Sequence, residues 1–181
     1  KGGISRYNRY QISALRELLG DENVRVLSLA PPKEDDFEEP FGVYWFGNGV
    51  GHSSKVKFSM KLFKEAITWR PDIILTAHVN LTGLAKVAAQ FSNCTTLLNT
   101  YGLEVWSGLS KDALWGLKNT DHVISDCHYT ARYLEGEGLR KLNSINVIWD
   151  CVDLDRFNPH VEIPNELLGK YGIPDPGRYK L

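Results

Sequence analysis

The sequence lacks the features of a membrane-spanning, metal-binding or nucleic-acid-binding protein. No apolar run approaches the about 20 residues that a membrane-spanning helix needs. The three cysteines, Cys94, Cys127 and Cys151, form no CxxC pair, which excludes a zinc knuckle or redox motif built on such a pair. With 21 Lys and Arg against 22 Asp and Glu, the net charge is −1. We therefore expect no nucleic-acid partner, because no basic field is present to bind a phosphate backbone.

Two further expectations follow from these scarce residue types. We expect the cysteines to be free thiols, buried or half-buried, in a reducing cytosol, so the predicted location is cytoplasmic. The 5 histidines share no ligand spacing, so we predict no metal site. A peripheral contact with a membrane stays open.

What the sequence does contain is the pattern of a globular α/β domain. The chain has 181 residues, 43% apolar and 24% charged, which suits one soluble domain with a sizeable core. Short apolar runs alternate with segments of helical period, as in βαβ units. The spacing predicts strands over Val24–Leu29, Val43–Phe46, Asp72–Ala77, Thr95–Thr100, His122–Ser125 and Ile145–Trp149. The fold class is therefore α/β, a Rossmann-like doubly wound, mostly parallel sheet flanked by helices.

Helices are predicted between these strands. The first runs from about Ile4 to Leu19, and the second carries Val56, Met60, Phe63 and Ile67 on one face, with Ser53 or Ser54 as N-cap and Pro71 as its stop. Another has Leu81, Leu84, Ala85, Ala88 and Phe91 along it. Ser110 can cap a helix with Ala113, Leu114 and Leu117. A further helix begins near Asp126 and ends at Gly136–Gly138, and a short one covers Asn165–Tyr171.

The chain begins on a loop and ends in a connector. Doubly wound sheets place their first strand centrally, and no strand precedes Gly2. We therefore expect either a strand upstream or a sheet with another centre. Residues 1–158 are predicted to form the folded lobe and residues 159–181 a linker. The acidic stretch Lys33–Pro40 is predicted to be a solvated loop.

Ligands of open α/β sheets bind beyond the carboxyl ends of the strands, so residues that follow strands are the candidate site. Gly2 and Gly3 open the first helix, where free backbone N–H groups favour an anion such as phosphate. A plain tight turn is the alternative. His78 ends the strand Asp72–Ala77 and is a candidate catalytic residue, although a lone histidine often only fills a surface or core position.

A second glycine-rich loop and several aromatic residues have two interpretations each. Gly47-Asn48-Gly49-Val50-Gly51 nearly matches the dinucleotide fingerprint, but its third glycine comes one residue early, so a flexible loop is the alternative. The aromatic residues could stack on sugar rings or belong to the core; they are Tyr44, Trp45, Phe46, Trp106 and Trp115.

The segment after Thr95–Thr100 carries the most chemistry. It reads Tyr101-Gly102-Leu103-Glu104-Val105-Trp106. Tyr101 supplies a hydroxyl, Gly102 gives access to the backbone, and Glu104 places a carboxylate at the mouth of the cleft. Glu104 could instead cap the helix that follows.

Four segments, taken in order, resemble the N-terminal lobe of retaining glycosyltransferases of family four. They are GGISRYNRYQISALREL, YGLEVW, DHVISDCHYTARYL and VIWDCVDLDRFNP. The last resembles the family's "GVD-x-x-x-F-x-P" entry to an interlobe linker, with Cys151 in place of the usual glycine. The resemblance covers the whole chain and implies a two-lobed B-type fold whose second lobe follows Leu181.

This resemblance also implies roles for the candidate residues. Gly2 and Gly3 would lie against the donor diphosphate. The family's "H-G-x-E" motif falls on Tyr101, Gly102 and Glu104, with tyrosine in place of the histidine that contacts the donor sugar. A phenol can donate a hydrogen bond but is no base at neutral pH.

The function implied is acceptor binding in an enzyme of polysaccharide or glycoconjugate synthesis. A sugar would pass from a nucleotide-diphosphate donor to a hydroxyl of a sugar or glycolipid acceptor, without a metal or other cofactor. We expect the chain by itself to be inactive, and its exposed sheet to favour self-association. The alternative is a non-catalytic or dinucleotide-binding Rossmann module that uses the Gly47–Gly51 loop.

Overall fold

The structure is a computed structural model that describes residues 3–31, 43–106, 108–154 and 165–172. The chain divides into two compact units, Lys1–Asp150 and Cys151–Leu181. The strands of the first unit are β1 (Val26–Ser28), β2 (Val43–Phe46), β3 (Ile73–Thr76), β4 (Thr95–Thr100), β5 (His122–Ser125) and β6 (Ile145–Val147). Its helices are α1 (Gly3–Leu19), α2 (His52–Thr68), α3 (Thr82–Ser92), α4 (Leu103–Trp106), α5 (Lys111–Asn119) and α6 (His128–Gly136). The second unit contains α7 (Asn165–Lys170).

All strand pairs are parallel, and they form two sheets. One has the order β1-β2, and the other has the order β3-β4-β5-β6. Helices connect the strands of the larger sheet, which confirms the predicted Rossmann-like α/β class. Within the described residues, the edges of β1 away from β2 and of β3 away from β4 pair with no strand. A strand upstream of Gly2 stays a prediction.

The predicted strands are all present, and their boundaries agree to within two residues. Two ends differ most, by two residues each: β1 begins at Val26, and β6 stops at Val147, which leaves Trp149 outside the sheet, exposed. Helix α6 begins at His128 rather than near Asp126. The acidic stretch Lys33–Pro40 and most of the predicted linker lie outside the described residues.

The apolar core lies in the larger sheet and its helices. Its buried members come from the turn after β3, from β4, β5 and β6, and from α4, α5 and α6; they are Val79, Leu98, Val105, Ala113, Leu117, Val123, Ala131, Leu134 and Ile145. Helices α3 and α5 approach so closely that a Cβ on Gly116 would lie 2.2 Å from the Gly83 nitrogen. Small residues at this crossing bring the two helices into backbone contact.

Helix α2 differs from its prediction in two respects. Its N-cap is Gly51, not Ser53 or Ser54, and no side chain caps it. Of the four apolar residues whose spacing predicts the helix, Val56, Met60 and Ile67 are exposed, and Phe63 is half-buried with its ring edge to face with that of Phe91. The buried residues of α2 are Ser54, Phe58, Glu65 and Ala66. Spacing identifies a shared face, but it does not determine which face meets the sheet.

The three cysteines are free, as predicted. Cys94 and Cys127 are half-buried, but Cys151 is exposed, so the expectation of a buried or half-buried thiol is wrong there. Cys151 lies in a short described stretch that forms no helix or strand.

Candidate functional site

The carboxyl ends of β3, β4, β5 and β6 lie along one edge of the parallel sheet, and polar residues follow each of them. His78 comes after β3, Tyr101 after β4, Asp126 after β5 and Asp150 after β6. Parallel pairing in register brings these positions to the same side of the fold. The predicted residues His78, Tyr101, Gly102 and Glu104 therefore all lie on the edge where open α/β sheets bind ligands.

Tyr101 is the centre of a hydrogen-bond network that joins α1 to the end of β4. Its hydroxyl donates to Asn8 Oδ1 and accepts from Asn99 Nδ2 at 2.9 Å. Asn99 Nδ2 also donates to Gln11 Oε1 at 3.3 Å, and Gln11 Nε2 donates to the Tyr7 hydroxyl at 3.3 Å. The Tyr7 and Tyr101 rings meet edge to face. The start of α1 is thus tied to the candidate site.

The Tyr101 phenol is held in its neutral form. Burial raises its pKa above the ordinary tyrosine value, and the nearby acidic groups of Tyr7, Asp150 and Glu104 raise it further. The phenol is therefore no general base at neutral pH. Its single hydrogen is donated to Asn8, which leaves one acceptor position on the oxygen for a ligand.

Glu104 performs the capping role that its sequence position allowed. Its Oε1 accepts a hydrogen bond of 2.6 Å from the backbone N–H of Tyr101, which is the last residue but one before α4. Its Oε2 is buried and has no hydrogen-bond partner among the described residues. One carboxylate oxygen thus holds the turn, and the other remains able to accept a hydrogen bond.

Gly102 makes room for an aromatic ring. Its φ of 107° lies in the region that favours glycine, and a Cβ there would come within 2.7 Å of Trp106 Cζ2. The backbone of Gly102 therefore lies directly against the Trp106 indole. In this structure the close approach that glycine permits is to Trp106.

His78 is exposed and caps a short turn. Its Nδ1 accepts a hydrogen bond of 3.2 Å from the Asn80 backbone N–H, at the start of the 3-10 turn Val79–Leu81. The capping bond fixes the ring, with Nδ1 as acceptor and Nε2 as the protonated nitrogen in the neutral form. His78 lies at the predicted strand end, and its part in catalysis stays a prediction.

The opening glycines are only partly described. Gly3 is the first residue of α1, and a Cβ there would meet nothing within 4 Å. Among the described residues, the space beside the Gly3 α-carbon at the start of this helix is thus open, as a phosphate site would require. Gly2 lies outside the described residues.

The Gly47–Gly51 loop is packed by its own chain. A Cβ on Gly47 would lie 2.2 Å from the Leu29 carbonyl oxygen, and the Gly47 N–H donates to the Ser28 carbonyl at 2.7 Å. The loop is therefore held against the end of β1, and its first glycine serves a backbone contact. This packing accounts for the glycine without a dinucleotide.

Two carboxylates of the site were missed at the level of sequence. Asp126 directly follows β5, and its Oδ1 is buried without a hydrogen-bond partner in the described part of the chain. Burial raises the pKa of Asp150, and the nearby Asp126 raises it further. Both follow predicted strands, so the rule that selected Tyr101 could have found them.

Comparison with known proteins identifies the family. The model of Glycosyltransferase Family 4 matches residues 1–156, which is most of the chain. The chain belongs to Glycosyltransferase Family 4. This membership confirms the resemblance read from the four sequence segments, and it makes a dinucleotide-binding module the less favoured interpretation of the loop Gly47–Gly51.

A solved structure of similar fold supports the architecture of this family-4 chain. It is Anabaena Alr3699/HepE, determined in complex with UDP and glucose, with a TM-score of 0.66 and 14% sequence identity. The match covers 94% of this chain and 47% of that one, so our chain spans about half the length of its structural relative. At this identity the match shows the fold. No curated protein matches the sequence.

Proposed function

We propose that the chain is the acceptor-binding lobe of a retaining glycosyltransferase. A second lobe, following this chain in the parent protein, would bind most of a nucleotide-diphosphate sugar, and the carboxyl edge of the sheet described above would bind the acceptor. The parent enzyme would act in polysaccharide or glycoconjugate synthesis in the cytoplasm. The observation that carries this proposal is the row of polar groups Tyr101, Glu104, Asp126 and Asp150 at that edge, in a chain of this family.

The donor diphosphate would lie at the start of α1. Free backbone N–H groups and the positive end of the helix dipole attract an anion there, and the open space around Gly3 admits one. The Tyr101–Asn8 bond fixes this helix to the acceptor side. Donor and acceptor would thus meet between two parts of one hydrogen-bonded network.

Transfer would break the bond between the sugar's anomeric carbon and the diphosphate oxygen and form one from that carbon to the acceptor oxygen on the same face. The leaving diphosphate would take the acceptor's proton, so the mechanism needs no protein base. The neutral Tyr101 is consistent with this assignment. The lobe would contribute positioning and electrostatic stabilisation, which can each lower a barrier by several kcal/mol.

Titration and activity assays test the division of labour between the lobes. Calorimetric titration of the 181-residue chain with UDP-, GDP- and ADP-sugars should reveal no micromolar binding, and the chain alone should transfer no sugar. The longer parent protein should bind a nucleotide sugar and transfer its sugar. Micromolar nucleotide-sugar binding to the chain alone would contradict the proposal.

A peripheral membrane contact is a second part of the proposal, supported by α2. Its outer face combines the exposed apolar residues Val56, Met60 and Ile67 with the exposed Lys57 and Lys64. Apolar and basic residues on one helix are typical of binding at an anionic lipid surface. Within the described residues, no helix is long and apolar enough to cross a membrane. Flotation with anionic vesicles should recover the chain, and Met60→Glu should abolish recovery.

Self-association of the isolated chain is also proposed. The unpaired edges of β1 and β3, as far as the chain is described, could pair with a second chain. Light scattering should reveal a concentration-dependent dimer in the micromolar range. A monomer across that range would contradict this part.

A further inference from the structure

Two pairs of aromatic rings share the first turn of α6. Trp106 on α4 meets Tyr129 edge to face, with centroids 5.3 Å apart. His128 meets Trp149, which follows β6, with centroids 5.8 Å apart. Tyr129 and Trp149 are 67% and 66% exposed. We call these four residues the aromatic shelf.

The shelf lies on the edge of the sheet that carries the candidate site. Its members follow β4, β5 and β6, three adjacent parallel strands. Three of the four stand within two residues of a carboxylate: Trp106 of Glu104, His128 of Asp126, and Trp149 of Asp150. Aromatic rings and carboxylates thus follow the same three strands.

The shelf is built as a fixed surface. The Trp106 indole lies against the Gly102 backbone, and the Tyr133 hydroxyl donates to the Trp106 carbonyl at 3.2 Å. In an edge-to-face pair, the edge of one ring covers one face of the other ring. The remaining aromatic faces are therefore not covered by the pairing. Large exposed rings held in place in this way mark a binding surface more than a core.

We propose that the aromatic shelf binds the apolar face of a neutral pyranose ring in the acceptor. A pyranose has a face of C–H groups that stacks on an aromatic ring, and hydroxyls around its rim. Of the carboxylates near the shelf, that of Asp150, next to Trp149 in the sequence, is exposed and is the acceptor for such hydroxyls.

Charge at the edge selects against an anionic sugar. Three carboxylates, those of Glu104, Asp126 and Asp150, adjoin the shelf, and a uronate or phosphate stacked there would be repelled. The basic groups nearest along α6 are His128 and Arg132. The inference rests on the proposed function, since it names the acceptor class of that same site.

Saturation-transfer NMR on the 181-residue chain tests the shelf directly. The probes are neutral methyl hexopyranosides and, as an anionic counterpart, methyl glucuronate. At millimolar concentration a neutral pyranoside should receive saturation, strongest at its C–H face. Tyr129→Ala and Trp149→Ala should each weaken binding about 2- to 13-fold, the range to which aromatic pair energies correspond. Tyr129→Phe should retain binding because it keeps the ring.

Trp115→Ala is the matched control, because Trp115 is a half-exposed tryptophan on α5 that takes no part in either pair. It should leave binding unchanged. The inference is overturned if no neutral pyranoside is bound, if methyl glucuronate binds more tightly, or if Trp115→Ala weakens binding as much as the shelf variants.

A second assay separates this inference from the proposed function. In the longer parent protein, Tyr129→Ala and Trp149→Ala should raise the acceptor KM with little change in kcat. If these variants transfer sugar with an unaltered acceptor KM, the role of the shelf is overturned and the proposed function still stands. Pyranoside binding by a parent that transfers no sugar would support the shelf and overturn the proposed function.

Discussion

The two parts of the first unit are held together by different forces. The part with β3–β6 contains the continuous apolar core, whose members are all buried. In the part with α1, β1, β2 and α2, the buried apolar side chains among those the structure describes are Tyr7, Phe58 and Ala66. Instead, Glu65 of α2 is buried between Arg25 and Lys61, and both cations also lie over the Tyr44 ring.

This difference follows from the sheet. Strands β3–β6 form one continuous layer that helices cover, whereas β1 and β2 pair only with each other in the described chain. A two-stranded layer buries little apolar area, so ion pairs and ring contacts supply the remaining cohesion. The candidate site lies on the well-packed part, and the Tyr101 network reaches across from it to α1. Stability should therefore respond differently to changes in the two parts.

The largest effect is expected from Leu98→Ala in the core of β4. Leu98 is fully buried, so the lost apolar contacts and the cavity should lower the free energy of unfolding by about 2–5 kcal/mol. Urea denaturation followed by circular dichroism measures it. Leu18→Ala on α1 is the control, since Leu18 is 78% exposed and its loss should cost within about 0.5 kcal/mol. Equal losses in the free energy of unfolding for the two variants would contradict the proposed difference between the two parts.

Glu65→Gln tests the polar part. Burial alone would raise the pKa of Glu65, but bonds from Lys61 and Arg25 outweigh it and lower that pKa, so the ionised form is the stabilising one. Removing its charge should lower the free energy of unfolding by about 1.5–3 kcal/mol. The same urea series measures it, with exposed Glu17→Gln as the control. A cost no larger than that of Glu17→Gln would show that ion pairs do not hold α2.

Acid should weaken the chain partly through Asp121. Burial would raise the pKa of Asp121, but hydrogen bonds from Lys86 and Thr96 lower it to about 2. A carboxyl that ionises at lower pH in the folded than in the unfolded chain stabilises the fold above the unfolded pKa of about 4. That contribution is lost as pH falls through about 2. Asp121→Asn should reduce the dependence of the free energy of unfolding on pH between these two pKa values. An unchanged dependence on pH would contradict this role of Asp121.

The smallest effect is expected where the two parts meet. Tyr101→Phe removes the hydrogen bonds with Asn8 and Asn99, which should cost about 0.5–1.5 kcal/mol each. A double-mutant cycle with Asn8→Ala should give a stabilising coupling energy between Asn8 and Tyr101. As the control, Tyr129→Phe on the exposed aromatic shelf should leave the free energy of unfolding almost unchanged. A coupling near zero would mean that Tyr101 does not tie α1 to β4.

Much of the fold could be predicted because its signals are local. Apolar runs bounded by turn residues gave all six strands, and the position of Tyr101 and Glu104 after β4 placed them on the ligand-binding edge. What sequence could not supply depends on long-range contacts. Asn8 and Tyr101 lie 93 positions apart, and no spacing rule joins them.

The sequence could not predict which face of α2 is exposed, for a related reason. The spacing of Val56, Met60, Phe63 and Ile67 defines an apolar stripe, but whether such a stripe packs against a sheet depends on the extent of the sheet available to it. Asp126 and Asp150, by contrast, were within reach of the strand-end rule. Gly102 was correctly placed, yet the indole it accommodates could not be inferred without the fold.

The most direct test of the central claim is the anomeric configuration of the product. The longer parent protein should be incubated with a nucleotide sugar and a neutral pyranoside acceptor, and the new glycosidic bond examined by NMR. The account predicts that the product keeps the anomeric configuration of the donor, with no transfer by the 181-residue chain alone. A product of inverted configuration, or transfer by the chain alone, would contradict it.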